Sequence, residues 1–446
     1  MTNLFNRQLG DEIPIAVSGD GIYITDQNGR TYIDACGGAA VSTLGYSNAI
    51  VRNAIIKQTK KLSYIHTGFF NTEVSEQLAS ILAKNLPGDL NWTYIVSGGS
   101  EAVEASIKLA TQYHASRGKP SKIEIISRHQ SYHGSTLGAL SAGENIPRRK
   151  PYEPLLSQHI HHISPCHYWR WGRDKETEVD YANRAAGELE SKIIELGADN
   201  VSAFICETIV GATMGAVCPS PGYFKRIREI CNEYDILLIL DEVMCGMGRC
   251  GKLFAFEDYG IIPDILCIAK GLGAGYQPIG AMICNEKIYM SIKNHNGYFE
   301  HGHSYLAHPT ACAAAVAVLE QLIVPGYLEK ITEKGDYLKK ILKDSFRDSK
   351  HIGDIRGQGL LIGIEIVENN KTNKAFDPKY SLHKRFKKFA LEQGLMIYPG
   401  GGTIDGIVGD HVLLAPPFIV SKSQMHEIVA KLRVAHDKVI NSIDFI

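Results

Sequence analysis

No surplus of either charge marks this sequence of 446 residues: 47 Lys+Arg stand against 48 Asp+Glu, a formal net charge of -1. Nucleic acid as a main partner calls for a basic excess that neutralises phosphates, so none is expected. Long hydrophobic runs are missing too. No stretch approaches the roughly 18 uncharged apolar residues of a membrane-crossing helix, and no membrane partner is expected. The opening Met1-Thr2-Asn3-Leu4-Phe5-Asn6-Arg7 has no basic stretch followed by an apolar run, so it does not read as a signal peptide. No CxxC pair occurs among the ten cysteines, which scatter from Cys36 to Cys312 and then stop. Reduced thiols in a cytoplasmic protein are therefore expected rather than a disulfide framework. Internal repeats and low-complexity tracts are absent. What is present is an ordinary globular composition, 44% hydrophobic and 21% charged, which excludes disorder for most of the chain. Glycine is in excess at 43 residues, roughly a tenth against a usual 7%.

The length suggests two or three structural units, at roughly 150 residues each. Near the N-terminus, residues 21–25 and 31–34 read as a hairpin around the turn Gln27-Asn28-Gly29-Arg30, because Asn-Gly between alternating apolar positions favours a tight turn. From about residue 75 to 325, short apolar strands alternate with helical patterns. Strands are expected at 92–96, 123–127, 203–207, 237–242, 265–269 and 281–284, with helices at 101–116, 182–196 and 222–233. Such alternation implies an α/β fold with a mostly parallel sheet covered on both faces. After Pro325, Lys-rich amphipathic helices at 328–346, 380–392 and 423–440 surround an alternating segment at 360–366. This α+β texture predicts a smaller unit, which the N-terminal hairpin could join.

In open α/β sheets ligands sit beyond the carboxyl ends of strands, so the residues that follow each strand matter most. Ser97-Gly98-Gly99-Ser100-Glu101 is either a tight turn with a serine cap or a helix N-terminus open to an anion. Leu240-Asp241-Glu242-Val243 ends an apolar run in two carboxylates, which need partners if buried. Lys270, in Ala269-Lys270-Gly271-Leu272-Gly273, is either a snorkelling surface lysine or a nucleophile of lowered pKa. Arg128-His129-Gln130-Ser131-Tyr132-His133-Gly134 offers an aromatic that can stack on a flat ligand, or a plain loop with a half-buried tyrosine. Together, a phosphate cradle, a stacking aromatic, a carboxylate and a strand-end lysine match the needs of pyridoxal 5'-phosphate (PLP).

At these residues the sequence resembles the class III aminotransferases, the ornithine/ω-amino-acid group of fold-type I PLP enzymes. The segment 238–249, then Pro263-Asp264-Ile265 and Ala269-Lys270-Gly271, carries the likeness. Lys270 follows Asp241 by 29 positions, as in that family. The resemblance runs from about residue 15 to 440. It implies a large PLP-binding domain at 61–325 with a mostly parallel seven-stranded sheet. A small α+β domain would be drawn from both termini, 1–60 and 326–446. It further implies that Lys270 binds the cofactor covalently and moves a proton, and that Asp241 pairs with the pyridine N–H. Val243 and Tyr132 would flank the ring. Gly99 and Ser100 would hold the phosphate, with His133 and Glu207 near the cofactor. Ser304, in His301-Gly302-His303-Ser304-Tyr305, would reach the phosphate of a neighbouring subunit. A homodimer with shared active sites follows, its pairing into a tetramer left open. The implied reaction passes nitrogen from an amine or ω-amino acid to a 2-oxo acid in a ping-pong cycle.

Two departures stand out. No arginine occurs between Arg385 and Arg433. Gly406 and Leu413 stand where relatives carry an arginine for the substrate's carboxylate, a role lysine fills poorly. Glu207-Thr208 also lacks the usual proline after the glutamate. His159, His161, His162, Cys166 and His167 match no tetrahedral zinc spacing; no metal is expected, and the segment reads as a substrate-access loop or interface piece. A same-fold racemase, aminomutase or decarboxylating transaminase would share Lys270 and Asp241. A remoter reading is a non-catalytic protein of the PLP fold.

Overall fold

The computed structural model describes residues 3–9 and 13–443; Met1-Thr2 of the opening and the last three residues of the expected C-terminal domain lie outside them. Seven strands form the main sheet: Trp92–Val96 (β1), Glu124–Arg128 (β2), Ile160–Ile163 (β3), Val201–Glu207 (β4), Leu237–Asp241 (β5), Ile265–Ile268 (β6) and Gly280–Cys284 (β7). Their spatial order is β1-β7-β6-β5-β4-β2-β3. Only β7 runs antiparallel to its neighbours; the other adjacent pairs are parallel. Every residue of β4, β5, β6 and β7 is buried, as expected of strands covered on both faces by helices.

Register then decides what meets at the sheet's carboxyl edge. Glu207, the last residue of β4, pairs with Asp241, the last of β5, and Asp241 pairs with Cys267 of β6. Three strands thus deliver their terminal side chains to one place, with Lys270 two residues beyond β6.

The segment 159–167, expected as a substrate-access loop or interface piece, is in its first half a strand: Ile160–Ile163 forms β3, at the sheet edge and parallel to β2. His159 Nδ1 and His161 Nε2 lie 2.9 and 2.7 Å from the two carboxylate oxygens of Glu124 on β2. His162 turns to the Ala142 carbonyl, 3.1 Å away, and His167 packs beside Trp169 and Trp171. The five groups do not converge.

Two four-stranded sheets complete the chain. In one, Ala16–Asp20, Tyr23–Asp26 and Thr31–Asp34 form a meander, and Leu395–Met396 joins parallel to the last of these. The Asn-Gly turn holds because Asp26 Oδ1 accepts the N–H groups of Asn28 and Arg30. In the other, Ile352–Gln358, Leu361–Ile366, Asp410–Leu414 and Tyr398–Gly401 run antiparallel. Buried Glu365 ties this sheet to the rest by pairing with Arg170 at 2.7 Å, and within the sheet it pairs with Arg356 at 2.6 Å. Arg249, at the end of the Asp241-bearing motif, donates to the Leu360 and Pro416 carbonyls at 3.1 and 2.6 Å. The helix Ala49–Lys61 packs on the Ala-rich helix Pro309–Leu322. No single helix among the described residues is long and apolar enough to cross a membrane.

Candidate active site

A cavity of 240 Å³ opens at the carboxyl edge of the sheet, lined among others by Gly99, Ser100, Tyr132, His133, Glu207, Asp241, Val243 and Lys270. Eight of the nine residues singled out in the sequence meet there. Ser304 does not: it is exposed and absent from the lining, and its carbonyl accepts the Tyr64 hydroxyl at 2.8 Å.

Asp241 is buried and fixed through both carboxylate oxygens. Oδ2 lies 2.7 Å from His133 Nδ1, and Oδ1 accepts the Val243 N–H at 2.9 Å. The far side of the imidazole, Nε2, is 3.4 Å from Ser127 Oγ. The carboxylate therefore cannot swing away from the cavity without breaking two hydrogen bonds. The resemblance placed His133 near the cofactor without a partner; the fold brings it from the β2 loop to the end of β5, where it holds Asp241.

Beside Asp241, the Glu207 carboxyl is pushed up to about 7, first by burial and then by the Asp241 charge, with the His133 charge opposing. Its Oε2 is buried without a hydrogen-bond partner. An unpartnered buried acceptor in a cavity wall is costly until a ligand donor meets it.

Lys270 is half-buried and opens a short 3₁₀ turn, Lys270–Leu272. Its φ of 43° lies in the left-handed region, a conformation that non-glycine residues hold only when their surroundings impose it. The Gly273 and Ala274 N–H groups both bond to its carbonyl, at 3.1 and 3.0 Å. Desolvation lowers the pKa of its amine, with Asp241 and Glu207 opposing and Arg148 adding to the fall. Both effects favour a neutral, nucleophilic amine over a snorkelling cation.

Across the cavity, Gly98 caps the helix Gly99–Ser116, whose first N–H groups lack partners within the helix. A methyl at Gly99 would stand 2.7 Å from Val243 Cγ1. Helix and β5 loop thus approach as closely as glycine permits. Ser100 Oγ accepts the Ser135 N–H at 3.1 Å, which places the hydroxyl at the same helix start.

These groups fit PLP. The helix N-terminus suits its phosphate, Asp241 its ring N–H, and the orphaned Glu207 oxygen a further donor. Val243 and Tyr132, both half-buried, stand in the wall where a flat ring would lie. Sequence reasoning missed Val41, Ile209, Ala212, Met244 and the turn Gln277-Pro278-Ile279, all in the lining. The turn had a usable signal, since it links β6 to β7. Val41 had none.

The family model for Aminotransferase class-III matches residues 7–435. An uncharacterized aminotransferase of Schizosaccharomyces pombe is 42% identical over 429 residues, 96% of this chain and 94% of its own. Gamma aminobutyrate transaminase 2 of Solanum lycopersicum is 35% identical over 420 residues, 92% of this chain and 88% of its own. Among solved structures, a PMP-bound aminotransferase from Vibrio fluvialis superposes with a TM-score of 0.90 at 31% identity, covering 97% of this chain and 94% of that one.

Proposed function

The chain belongs to the class III aminotransferases and moves nitrogen with PLP from an amino donor to a 2-oxo acid; from that premise we propose that its donors are amines and ω-amino acids. The observation that carries this reading is the glycine-bearing segment 400–409. Its Gly406 packs against Ile146 and its Gly402 carbonyl accepts the Gln130 side-chain N–H, two residues before Tyr132 in the chain, and the segment holds no arginine. The likeness to the tomato gamma aminobutyrate transaminase supports it.

When bound, PLP supplies an electron sink that stabilises negative charge on the substrate carbon. The chain supplies the rest. Lys270 provides the amine that attaches the cofactor, and afterwards takes and returns the proton at the substrate carbon. Asp241, held by His133 and the Val243 N–H, keeps the pyridine nitrogen protonated. The N–H groups at Gly99 and Ser100 anchor the phosphate. Val243 and Tyr132 would flank the ring, and Glu207 would offer it a hydrogen-bond acceptor.

The working unit in this reading is a homodimer with shared sites. Tyr64 and Tyr305 are exposed beside Ser304, and Leu62, Phe69 and Phe70, close to Tyr64 in the chain, are exposed as well, apolar surface of the kind that associates. All ten cysteines are free and nine are buried, which suits a reducing cytoplasm.

A donor panel tests the substrate class. Cofactor-loaded enzyme receives diamines, β- and ω-amino acids or plain α-amino acids, and nitrogen transfer to added 2-oxo acids is measured by chromatography. Turnover confined to plain α-amino acids would overturn the reading. For the shared site, a mixed dimer of Ser304→Ala and Lys270→Ala chains should show weakened cofactor binding; unchanged affinity would sink that part.

A further inference from the structure

We infer that Arg148 is the group that grips the substrate carboxylate, a specificity-determining residue that takes over the anion site the C-terminal segment does not provide. This deepens the proposed function and rests on it, since a 2-oxo acid must be held with its carboxylate facing a fixed cation.

Arg148 and Arg149 are neighbours on the short helix Ile146–Arg149 and turn opposite ways. Arg149 is spent on structure: its Nη1 donates to the Gly143 carbonyl at 2.8 Å and lies 3.3 Å from His162 Nε2. Arg148, half-buried, has no side-chain hydrogen bond and no carboxylate partner among the described residues. Its guanidinium lies over the Tyr132 ring, 4.6 Å from the centroid. Stacking uses only the flat face of the guanidinium. The in-plane fork of five N–H donors stays free, and that fork is what matches a carboxylate.

The location suits the task. Tyr132 lines the cavity that holds Lys270, and Arg148 lies against that ring, one side chain behind the lining. Arg148 is also near enough to Lys270 for its charge to act on that amine. Other arginines of the interior are committed elsewhere: buried Arg128 donates to the Glu207 carbonyl, buried Arg249 to Leu360 and Pro416, and half-buried Arg356 pairs with Glu365. Gly406 completes the picture. Its φ is 83°, and a methyl there would meet Ile146 at 2.7 Å. The segment that lacks an arginine is therefore pressed, through glycine, onto the turn that presents one.

The test uses Arg148→Met, which keeps an apolar body over Tyr132, and Arg148→Lys, which keeps the charge without the fork. In the full holoenzyme, Arg148→Met should raise KM for the 2-oxo acid roughly 10- to 100-fold, the worth of a charge-assisted hydrogen-bond pair. KM for an amine donor that carries no carboxylate should stay put, and Arg148→Lys should fall between. Independently of turnover, calorimetric titration of the cofactor-free protein with succinate should show weaker binding in Arg148→Met by a similar factor. Equal succinate affinity in wild type and variant overturns the inference. So does a parallel rise of both KM values, the mark of a residue that merely props Tyr132. Should the wild type prove to use only plain α-amino acids, the donor reading fails, yet the succinate titration still decides the role of Arg148.

Discussion

Asp241 shows how much of this site rests on single side chains. Its charge is useful to a cofactor only if it points into the cavity, and two hydrogen bonds see to that. Replacing His133 with Phe removes one of them while keeping the volume of a ring. A hydrogen bond to a charged group contributes about 1.5–3 kcal/mol, so PLP affinity and kcat should each fall roughly 10- to 100-fold. Equilibrium dialysis and steady-state rates would show it, and restoration by His133→Asn, which returns a donor, would separate positioning from loss of fold. Gly99 offers a second measurement. A β-carbon there meets Val243 at 2.7 and 3.0 Å, and valine has few rotamers into which to retreat. Overpacking of this kind costs about 1–3 kcal/mol. Because the displaced Val243 forms a wall of the cavity, Gly99→Ala should weaken PLP binding more than it lowers Tm.

At the scale of elements, legibility followed burial. The strands β4 to β7 are continuous apolar runs and stood out in the sequence within two residues of their ends. The helices Tyr327–Ser345 and Lys422–Asn441 announced themselves by their amphipathic period in the same way. The edge strand β3 did not. Ile-His-His-Ile has no apolar run to read, because its stabilising partner is Glu124 on the neighbouring strand, a contact made only after folding. The site divided along the same line. Residues at strand ends, Asp241, Glu207 and Lys270, follow from the pattern and the family likeness, whereas Val41 reaches the cavity by tertiary packing alone. One element depends on a contact of the latter kind. Gly335, inside the helix Tyr327–Ser345, abuts the Gly359 backbone so closely that a methyl would overlap its carbonyl oxygen. Backbone cannot yield as a flexible side chain can. Gly335→Ala should therefore destabilise the fold by at least about 3 kcal/mol, beyond the propensity gain of about 1 kcal/mol that Ala has over Gly in an exposed helix. A denaturant midpoint no lower than wild type would refute this close contact.

For the whole molecule, the buried titrating groups set a window of pH. On the acid side, burial lowers His114 and His162 to about 4 and His411 to about 3. The unfolded chain takes up protons near 6.5 and the folded one does not, so their contribution to stability is present above about 6.5 and lost as pH falls. Glu207 and Glu242, both raised to about 7 by burial, work the other way: their contribution is fully present below about 4.5 and is lost as pH rises through about 7. Against the three histidines they only blunt the acid fall. The alkaline limb has no such opposition among the thiols. Burial pushes Cys206, Cys231, Cys284 and Cys312 up to about 12. Below about 9 these thiols cost nothing; above it the unfolded chain sheds protons that the fold must retain, so stability drops steadily as pH climbs toward 12. Calorimetric Tm should thus be flat between about pH 7 and 9 and fall on both sides. Cys231 is wholly buried in the main core, away from the cavity. Cys231→Ala removes one titrating thiol, so it should lower Tm modestly at neutral pH by leaving a small void. Its alkaline slope should be shallower by one proton than that of the wild type. Parallel slopes in the two proteins would mean that this thiol ionises in the fold as readily as in the unfolded chain.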